Sequence, residues 1–285
     1  MTTPRPAPDL PTPRTALVTG ASSGIGRATA QLLVERGHRV VGTSRHPEAI
    51  AASDRVDGVL YRALDLHDSH SIDGFVTALG AEGLIPDLVV NNAGESQSGP
   101  LEDLPLGALE RLFQVNVLGP VRLTQLLLPG MRERGYGRVV MVGSMLASFP
   151  LAYRSSYVAT KAAIKGFADA ARFEMAPYGV WLTTVEPGSI NTGISQRRTK
   201  YLADGSPHTQ AFRRMLTTLD RNERDGISAA RVARTILEAI EDDSPGPLHA
   251  VGSNAPAVFA LKRTLPAALV ERVVARKFGI SPKPR

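Results

Sequence analysis

Short apolar runs alternate along the chain with longer segments in which apolar residues recur at helical spacing. The apolar runs predict strands at 15–20, 39–44, 58–66, 87–94, 137–144, 180–188 and 247–252. The helical spacing predicts helices at 24–37, 104–128, 155–176 and 228–242. Single strands that alternate with helices are typical of right-handed βαβ crossovers. The pattern therefore predicts an α/β fold, with one doubly wound sheet of about seven parallel strands flanked by helices.

The interior of the chain contains no Pro-, Gly- or Ser-rich linker, so we predict a single domain over 14–254. A proline-rich stretch precedes it, and residues 1–13 are expected to form a disordered tail. Residues 255–285 follow as a basic helical extension of the same domain.

The positive charge of the chain is unevenly distributed. Lysine and arginine together number 33 against 27 acidic residues, a net charge of +6. Residues 262–285 hold seven basic residues and one acidic residue, which accounts for the whole excess. A basic tail is more typical of a solvated face than of a nucleic-acid interface, so no nucleic-acid partner is predicted. Segment 258–279 could also suit a membrane surface, but packing on the body or on a partner subunit is favoured.

The chain has no cysteine, which excludes disulfides, thiol chemistry and cysteine-ligated metals, and we predict no metal site. No uninterrupted apolar run approaches the roughly 18 residues that indicate a membrane span. The start of the chain lacks the apolar core of a signal peptide. We therefore expect a soluble protein located in the cytoplasm.

Three glycines lie where the first strand meets the first helix, in the sequence TGASSGIG at 19–26. Gly20 permits a sharp turn, while Gly24 and Gly26 lack Cβ atoms where a pyrophosphate and the helix must approach closely. The helix N-terminus offers free N–H groups to that anion. The turn is predicted to bind a dinucleotide through Gly20, Ser22, Ser23, Gly24, Ile25 and Gly26. The alternative is a glycine-rich turn without a ligand.

The end of the second strand indicates which dinucleotide is bound. An acidic residue at this point accepts hydrogen bonds from the ribose of NAD and repels the 2′-phosphate of NADP. This strand ends in Thr43, Ser44 and Arg45, with no carboxylate. Ser44 can donate a hydrogen bond to a phosphate and Arg45 can form a charged contact with one. The sequence therefore predicts NADP(H), the alternative being that Arg45 is an ordinary surface arginine.

Tyr157 and Lys161 form a YxxxK pair at the start of the helix that follows the fifth predicted strand. Lys161 is the first lysine of a chain in which only six of the 33 basic residues are lysine. Positions i and i+4 share a helix face. A free tyrosine has a pKa near 10, and a nearby ammonium favours its phenolate. Lysine is also compact enough to bond adjacent ribose hydroxyls, a geometry that a planar guanidinium does not reproduce.

Six motifs occur in order along the chain: TGASSGIG (19–26), NNAG (91–94), Asn116, Ser144, YVATK (157–161) and PGSINT (187–192). Together they resemble the short-chain dehydrogenase/reductase family over about residues 14–195. The long C-terminal extension resembles the hydroxysteroid and retinol dehydrogenase-like members. The resemblance implies a Rossmann fold and a homodimer or homotetramer.

The resemblance also implies a role for each motif. Tyr157 is the general acid/base, Ser144 hydrogen-bonds the substrate oxygen, Lys161 holds the nicotinamide ribose and tunes Tyr157, and Asn116 keeps a water in the proton relay. The remaining implied cofactor contacts are Asp65, Leu66, Asn92, Ala93, Gly94, Pro187, Gly188, Ile190 and Thr192. Three simpler interpretations stay open: Ser144 only caps a strand end, Asn116 only bonds backbone within its helix, and Asn91 only joins two strands.

These observations predict an NADP(H)-dependent oxidoreductase that reduces a ketone or aldehyde, or oxidises the corresponding secondary alcohol. The resemblance implies a bulky hydrophobic small molecule as substrate. Segment 189–226 is predicted to form a lid over it. The alternative function is an NADP-sensing or regulatory binding protein that uses the same fold without turnover.

Overall fold

A computed structural model of the protein describes residues 13–280. The predicted tail, residues 1–13, lies outside the described residues except for Pro13. Seven strands form the main sheet: β1 (Thr15–Val18), β2 (Arg39–Ser44), β3 (Val59–Ala63), β4 (Leu88–Asn91), β5 (Gly137–Val142), β6 (Val180–Pro187) and β7 (Leu248–Val251). They lie in the order β7-β6-β5-β4-β1-β2-β3, and every neighbouring pair is parallel. The predicted doubly wound sheet is confirmed.

Eleven α-helices connect or follow these strands within residues 13–280. They are α1 (Gly24–Glu35), α2 (Ser69–Ala81), α3 (Leu106–Phe113), α4 (Gly119–Arg134), α5 (Met145–Ser148), α6 (Ser155–Met175), α7 (Ile194–Arg197), α8 (Thr209–Arg224), α9 (Ala229–Glu241), α10 (Ala255–Thr264) and α11 (Ala267–Lys277).

Both faces of the sheet are buried, because helices cover each of them, and successive side chains of a strand point to opposite faces. Leu17 of β1 packs with residues of α2, α4 and α6, such as Ile72, Leu123 and Ile164. Its neighbour Val18 packs on the other face, against residues that include Leu33 of α1 and Ile236 of α9. The two apolar layers hold the sheet between helices and leave its carboxyl edge free to form a site.

The helix predicted over 104–128 is interrupted. A π-helical turn, Gln114–Leu118, separates α3 from α4. This turn contains Asn116, which is 1% exposed. α4 then continues to Arg134 with Pro129 inside it, although proline lacks the N–H that a helix interior requires. The one-residue expansion of a π turn changes which side chains face inward, and periodicity does not reveal it.

Segment 189–226, the predicted lid, contains α7 and α8 and contributes one strand to each of two short parallel pairs. Ile190–Asn191 pairs with Ile227–Ser228, and Gln97–Ser98 pairs with Thr199–Lys200. α8 is anchored by a buried apolar face, whose members Phe212, Met215 and Leu219 pack with Phe278 just after α11.

The C-terminal extension packs on the body of the protein. Phe259 of α10 makes an edge-to-face contact with Phe149, at 5.1 Å between ring centroids. Lys262 lies 5.1 Å from the same Phe149 ring and donates a hydrogen bond to the carbonyl of Ser148. The extension therefore contacts the body through α10.

Candidate functional site

The glycine-rich turn forms a tight cradle between β1 and α1. Gly20 and Gly24 have φ angles of 67° and 55°, a conformation that favours glycine. A Cβ on Gly26 would collide with the carbonyl oxygen of Gly20 and come within 2.5 Å of Asn92 Nδ2. Ser23 precedes α1 and makes no side-chain capping bond to its first turn. The N–H groups of that turn are therefore available to an anion, which fits the pyrophosphate of a dinucleotide.

The NNAG segment, residues 91–94, is hydrogen-bonded to the start of this turn. Asn92 Nδ2 donates to the carbonyl of Thr19 at 2.9 Å, and Thr19 Oγ1 accepts from the backbone N–H groups of Asn92 and Ala93. Asn91 Nδ2 donates to Thr124 Oγ1 of α4 at 3.0 Å and contacts Met141 Sδ of β5. Asn91 therefore joins β4 to a helix as well as to a neighbouring strand.

One cleft of about 950 Å³ runs along the carboxyl edge of the sheet. Most of the sequence-predicted site residues line it: Gly20, Ser22, Ser23, Gly24, Ile25, Ser44, Arg45, Asp65, Leu66, Asn92, Ala93, Gly94, Ser144, Tyr157, Lys161, Pro187, Gly188, Ile190 and Thr192. Gly26 and Asn116 lie beneath the surface of the cleft. Gly26 acts there by allowing close packing, since the space beside it is filled by Gly20 and Asn92.

Asn116 connects three segments under the cleft. Its Oδ1 accepts from the backbone N–H of Glu95 at 2.8 Å, and its Nδ2 donates to the carbonyl of Glu95 at 3.0 Å and to Thr160 Oγ1 at 3.3 Å. The interpretation that Asn116 bonds backbone within its own helix is wrong, because Glu95 belongs to the loop after β4. The side chain braces that loop against α6.

Ser144 follows β5 and precedes α5. Its Oγ accepts from the backbone N–H of Leu146 at 3.2 Å, so it caps a helix and not a strand end. The neighbouring Ser144 hydroxyl lowers the pKa of Tyr157. The two hydroxyls therefore lie together at the cleft.

Tyr157 lies in the first turn of α6 and is 8% exposed. Burial raises the pKa of its hydroxyl, and the positive charge of Arg154 is the main influence that opposes this rise. A phenol in this setting is held in its neutral form, ready to donate a proton, with a nearby cation to stabilise the phenolate that remains.

Lys161 lies one helical turn after Tyr157 and is 6% exposed. Its Nζ donates to the carbonyl of Val142 at 2.8 Å and lies 5.8 Å from the centroid of the Tyr157 ring. Burial lowers the pKa of Lys161 to about 8. The ammonium faces Gly94, where a Cβ would stand 3.8 Å from Nζ, so the lysine reaches into the cofactor part of the cleft.

The rim at the end of β2 carries more than one charge. Arg45 has a 60% exposed side chain and lies 4.0 Å from Glu95. Glu95 also accepts two hydrogen bonds from Arg111, at 2.6 and 3.0 Å. Two guanidinium groups thus face Glu95, and the exposed guanidinium of Arg45 is free to contact a phosphate.

Three features of the cleft were not predicted from the sequence. Arg154, three residues before Tyr157, lies over its ring. Arg197 of α7 reaches across from the lid segment and donates to Ser23 Oγ of the glycine turn at 3.0 Å. The third is the wall formed by the extension, from Val258, Leu261, Leu265, Val270, Val273, Val274 and Phe278. A YRSSY spacing is a faint signal for Arg154, whereas no local pattern connects Arg197 or the extension to residues so distant in sequence.

Residues 13–280 also bear on membrane insertion and metal binding. No helix there is long and apolar enough to cross a membrane. The same part of the chain contains no group of three or more His, Cys, Asp or Glu side chains placed to hold a metal ion.

The glycine-rich turn lies at the carboxyl edge of a parallel sheet, and Ser144, Tyr157 and Lys161 line the same cleft. This combination is typical of a dinucleotide-dependent oxidoreductase. A family model described as short chain dehydrogenase matches residues 14–202. The chain belongs to the short-chain dehydrogenase/reductase family. It is accordingly an oxidoreductase of a family that uses nicotinamide cofactors, and whose members bind small-molecule substrates and are often oligomeric.

The sequence and the structure of the chain are similar to those of known proteins over most of their length. The uncharacterized oxidoreductase YusZ of Bacillus subtilis is 36% identical over 236 residues, which are 78% of this chain and 83% of that protein. The 3-ketodihydrosphingosine reductase of Bacteroides thetaiotaomicron is 29% identical over 254 residues, 88% and 93% of the two chains. The crystal structure of a short-chain dehydrogenase from Streptomyces avermitilis has a TM-score of 0.79 at 32% identity, and covers 95% of this chain and 99% of its own.

Proposed function

We propose that the protein is an NADP(H)-dependent oxidoreductase that reduces a ketone or aldehyde of a bulky hydrophobic small molecule, or oxidises the corresponding secondary alcohol. The observation that carries this proposal is the convergence of Ser144, Tyr157 and Lys161 on one cleft with the glycine turn. The similar protein from Bacteroides thetaiotaomicron is named as a reductase of a keto compound, which agrees with this direction.

The residues of the chain supply the proton chemistry of the reaction. In the direction of reduction, the Tyr157 hydroxyl donates its proton to the carbonyl oxygen while Ser144 donates a hydrogen bond to the same oxygen. Lys161 reaches toward the ribose part of the cleft, and Asn116 holds the loop beside it. A bound nicotinamide supplies or accepts the hydride. In oxidation the same groups act in reverse, with the phenolate of Tyr157 as the base.

The alternative is an NADP-sensing or regulatory binding protein without turnover. Such a protein needs the glycine turn but has no use for a buried tyrosine beside a serine hydroxyl. Consumption of NADPH by the purified protein with ketones and aldehydes of increasing apolar size tests the choice. Turnover that rises with apolar size supports the reductase. Tight binding of NADPH without turnover of any compound in the series would favour the sensor.

NADPH is expected to bind at least about tenfold more tightly than NADH, since one charge-assisted contact to a phosphate contributes roughly 1.5 kcal/mol or more. The proposal rests on Ser44 and Arg45, which line the cleft where other dinucleotide folds carry an acid. Arg45→Ala should reduce this preference by weakening NADPH binding alone. Titration of both cofactors against parent and variant measures it. Arg39→Ala, at the opposite end of β2, is the matched control and should keep the preference. Equal affinities in the parent would contradict the assignment.

The bulky hydrophobic substrate is inferred from the wall that α10 and α11 contribute to the cleft. Val270 lines this wall, whereas its neighbour Leu269 is 42% exposed and lies outside the lining. We expect Val270→Gln to lower kcat/KM for a large apolar ketone by about tenfold, because it places an amide against the apolar part of the substrate.

The same substitution should change kcat/KM for a small ketone little, since a small substrate does not reach α11. Leu269→Gln is the matched control for the effect of a polar side chain on this helix. If both variants respond alike to large and small ketones, the extension is not a substrate wall.

The predicted homodimer or homotetramer and the predicted cytoplasmic location stay predictions.

A further inference from the structure

Arg154 is a buried cation directly beside the tyrosine of the site. It precedes α6 and is 2% exposed. Its guanidinium carbon lies 4.2 Å from the centroid of the Tyr157 ring, closer than Lys161 Nζ at 5.8 Å. A cation over the face of an aromatic ring is attracted to it, and the attraction grows when both groups are desolvated.

The partners of Arg154 are neutral. Its Nη1 donates to Ser96 Oγ at 3.0 Å, to the carbonyl of Gln97 at 2.7 Å and to Ser98 Oγ at 3.0 Å. Among the described residues its hydrogen bonds go only to hydroxyl and carbonyl oxygens. Neutral acceptors fix the orientation of the guanidinium without cancelling its charge, so its field extends to the adjacent ring.

The other charged groups around Tyr157 come from the lid segment and from α6. Arg198 has a fully buried side chain and is paired with Asp220 and Glu223 of α8. Glu223 raises the pKa of Tyr157 and Arg198 lowers it, so the two effects oppose each other. Lys161 faces Gly94 on the cofactor side of the cleft. Arg154 therefore stands out as a cation whose charge is not matched by a carboxylate in contact with it.

Burial of a guanidinium is costly, and a neutral amide donor is sufficient to bond the carbonyl of Gln97 and the serine hydroxyls beside it. A purely structural role would not require a positive charge at this position. We propose that Arg154 is a positioning residue for Tyr157: its guanidinium, held over the ring by Ser96, Gln97 and Ser98, stabilises the phenolate relative to the phenol. The inference rests on the proposed role of Tyr157 as general acid/base. It assigns the tuning of Tyr157 to Arg154 and leaves Lys161 chiefly to the cofactor.

Two neutralising variants test this inference in different ways. Arg154→Gln removes the charge but keeps an amide donor for the 96–98 segment. Ser98→Asp keeps Arg154 and places a carboxylate against Nη1. Both are expected to raise the pKa of Tyr157 by about one pH unit or more, the usual size of such charge effects. Arg154→Lys keeps the charge and should recover most of the shift. Ser98→Ala removes one hydrogen bond without changing the charge and should leave the titration unmoved.

The direct readout is the ultraviolet absorbance of the phenolate during a pH titration. The chain has six tyrosines, so the difference between each protein and its Tyr157→Phe version isolates Tyr157. The second readout is the pH dependence of kcat/KM. For reduction, Tyr157 must be protonated, so the loss of activity at high pH should move to higher pH in both neutralising variants.

If Arg154→Gln and Ser98→Asp lower activity equally at every pH and leave the phenolate titration in place, Arg154 is structural and the inference fails. Since the two variants act by different changes, an unfolded product of one leaves the other to decide. The absorbance titration does not need turnover. A protein in which Tyr157→Phe stays active would therefore refute the proposed acid/base role of Tyr157, while the effect of Arg154 on the ring would still be measured.

Discussion

Tyr157→Phe is expected to reduce kcat to below a few per cent of the parent value, with NADPH binding nearly unchanged. The variant removes a single oxygen, the atom that hands its proton to the substrate, from a side chain that is already buried. General acid catalysis contributes about 10²- to 10⁴-fold, which sets the size of the loss. The hydroxyl contributes little to holding a dinucleotide, so the affinity for NADPH reports that the fold and the cofactor cleft are intact.

Tyr153→Phe is the matched control, because it makes the same chemical change four residues earlier in the chain, just before α6. Tyr153 packs edge-to-face on Phe212, at 5.7 Å between centroids, and lies outside the lining of the cleft. Its variant should retain the parent kcat. A Tyr157→Phe protein with more than a few per cent of the parent kcat would mean that another group transfers the proton.

Lys161→Arg is expected to lower kcat/KM by at least about a hundredfold, which corresponds to roughly 2.7 kcal/mol of transition-state stabilisation. Lys161 Nζ is enclosed between the carbonyl of Val142, 2.8 Å away, and the backbone at Gly94. A guanidinium is larger and planar, so it cannot keep the bond to Val142 and also face the ribose region.

Lys165→Arg is the matched control for this substitution. Lys165 lies one turn further along α6 and pairs with Asp169 at the partly exposed side of the helix. Its replacement by arginine should leave kcat/KM within about twofold, because a surface pair of this kind contributes little. If Lys161→Arg is as mild as Lys165→Arg at neutral pH, the position needs only a positive charge and the proposed division of roles at the site is wrong.

Lys161 also illustrates where reasoning from the sequence stops. The i, i+4 relation places Lys161 on the same helix face as Tyr157, which led to the expectation that its ammonium tunes the phenol. In the folded protein Lys161 Nζ is bonded to Val142, and the main charge that opposes the rise in the pKa of Tyr157 is that of Arg154. Helical spacing shows which side chains lie on the same face of a helix. The hydrogen-bond partner of each side chain depends on the other segments that pack against that face.

The fold was accessible from the sequence because its determinants are local. Apolar runs of strand length, separated by helical periodicity, imply a parallel sheet covered on both faces, and this is the arrangement of β1 to β7. The steric demands of the turn at 19–26 are also local, since they follow from glycines at Gly20, Gly24 and Gly26. Ser144, Tyr157 and Lys161 reach one cleft because each follows the carboxyl end of β5 within a short distance in the chain.

The contacts that shape the site were decided by tertiary structure. Asn116 lies in a π turn and bonds Glu95, 21 residues earlier. Arg197 reaches Ser23 across 174 residues, and the extension at 255–280 closes the apolar end of the cleft. Periodicity and turn chemistry report on what a residue's own neighbours require. Which distant segments meet is determined by how helices and loops pack together, and no local pattern in the chain encodes that choice.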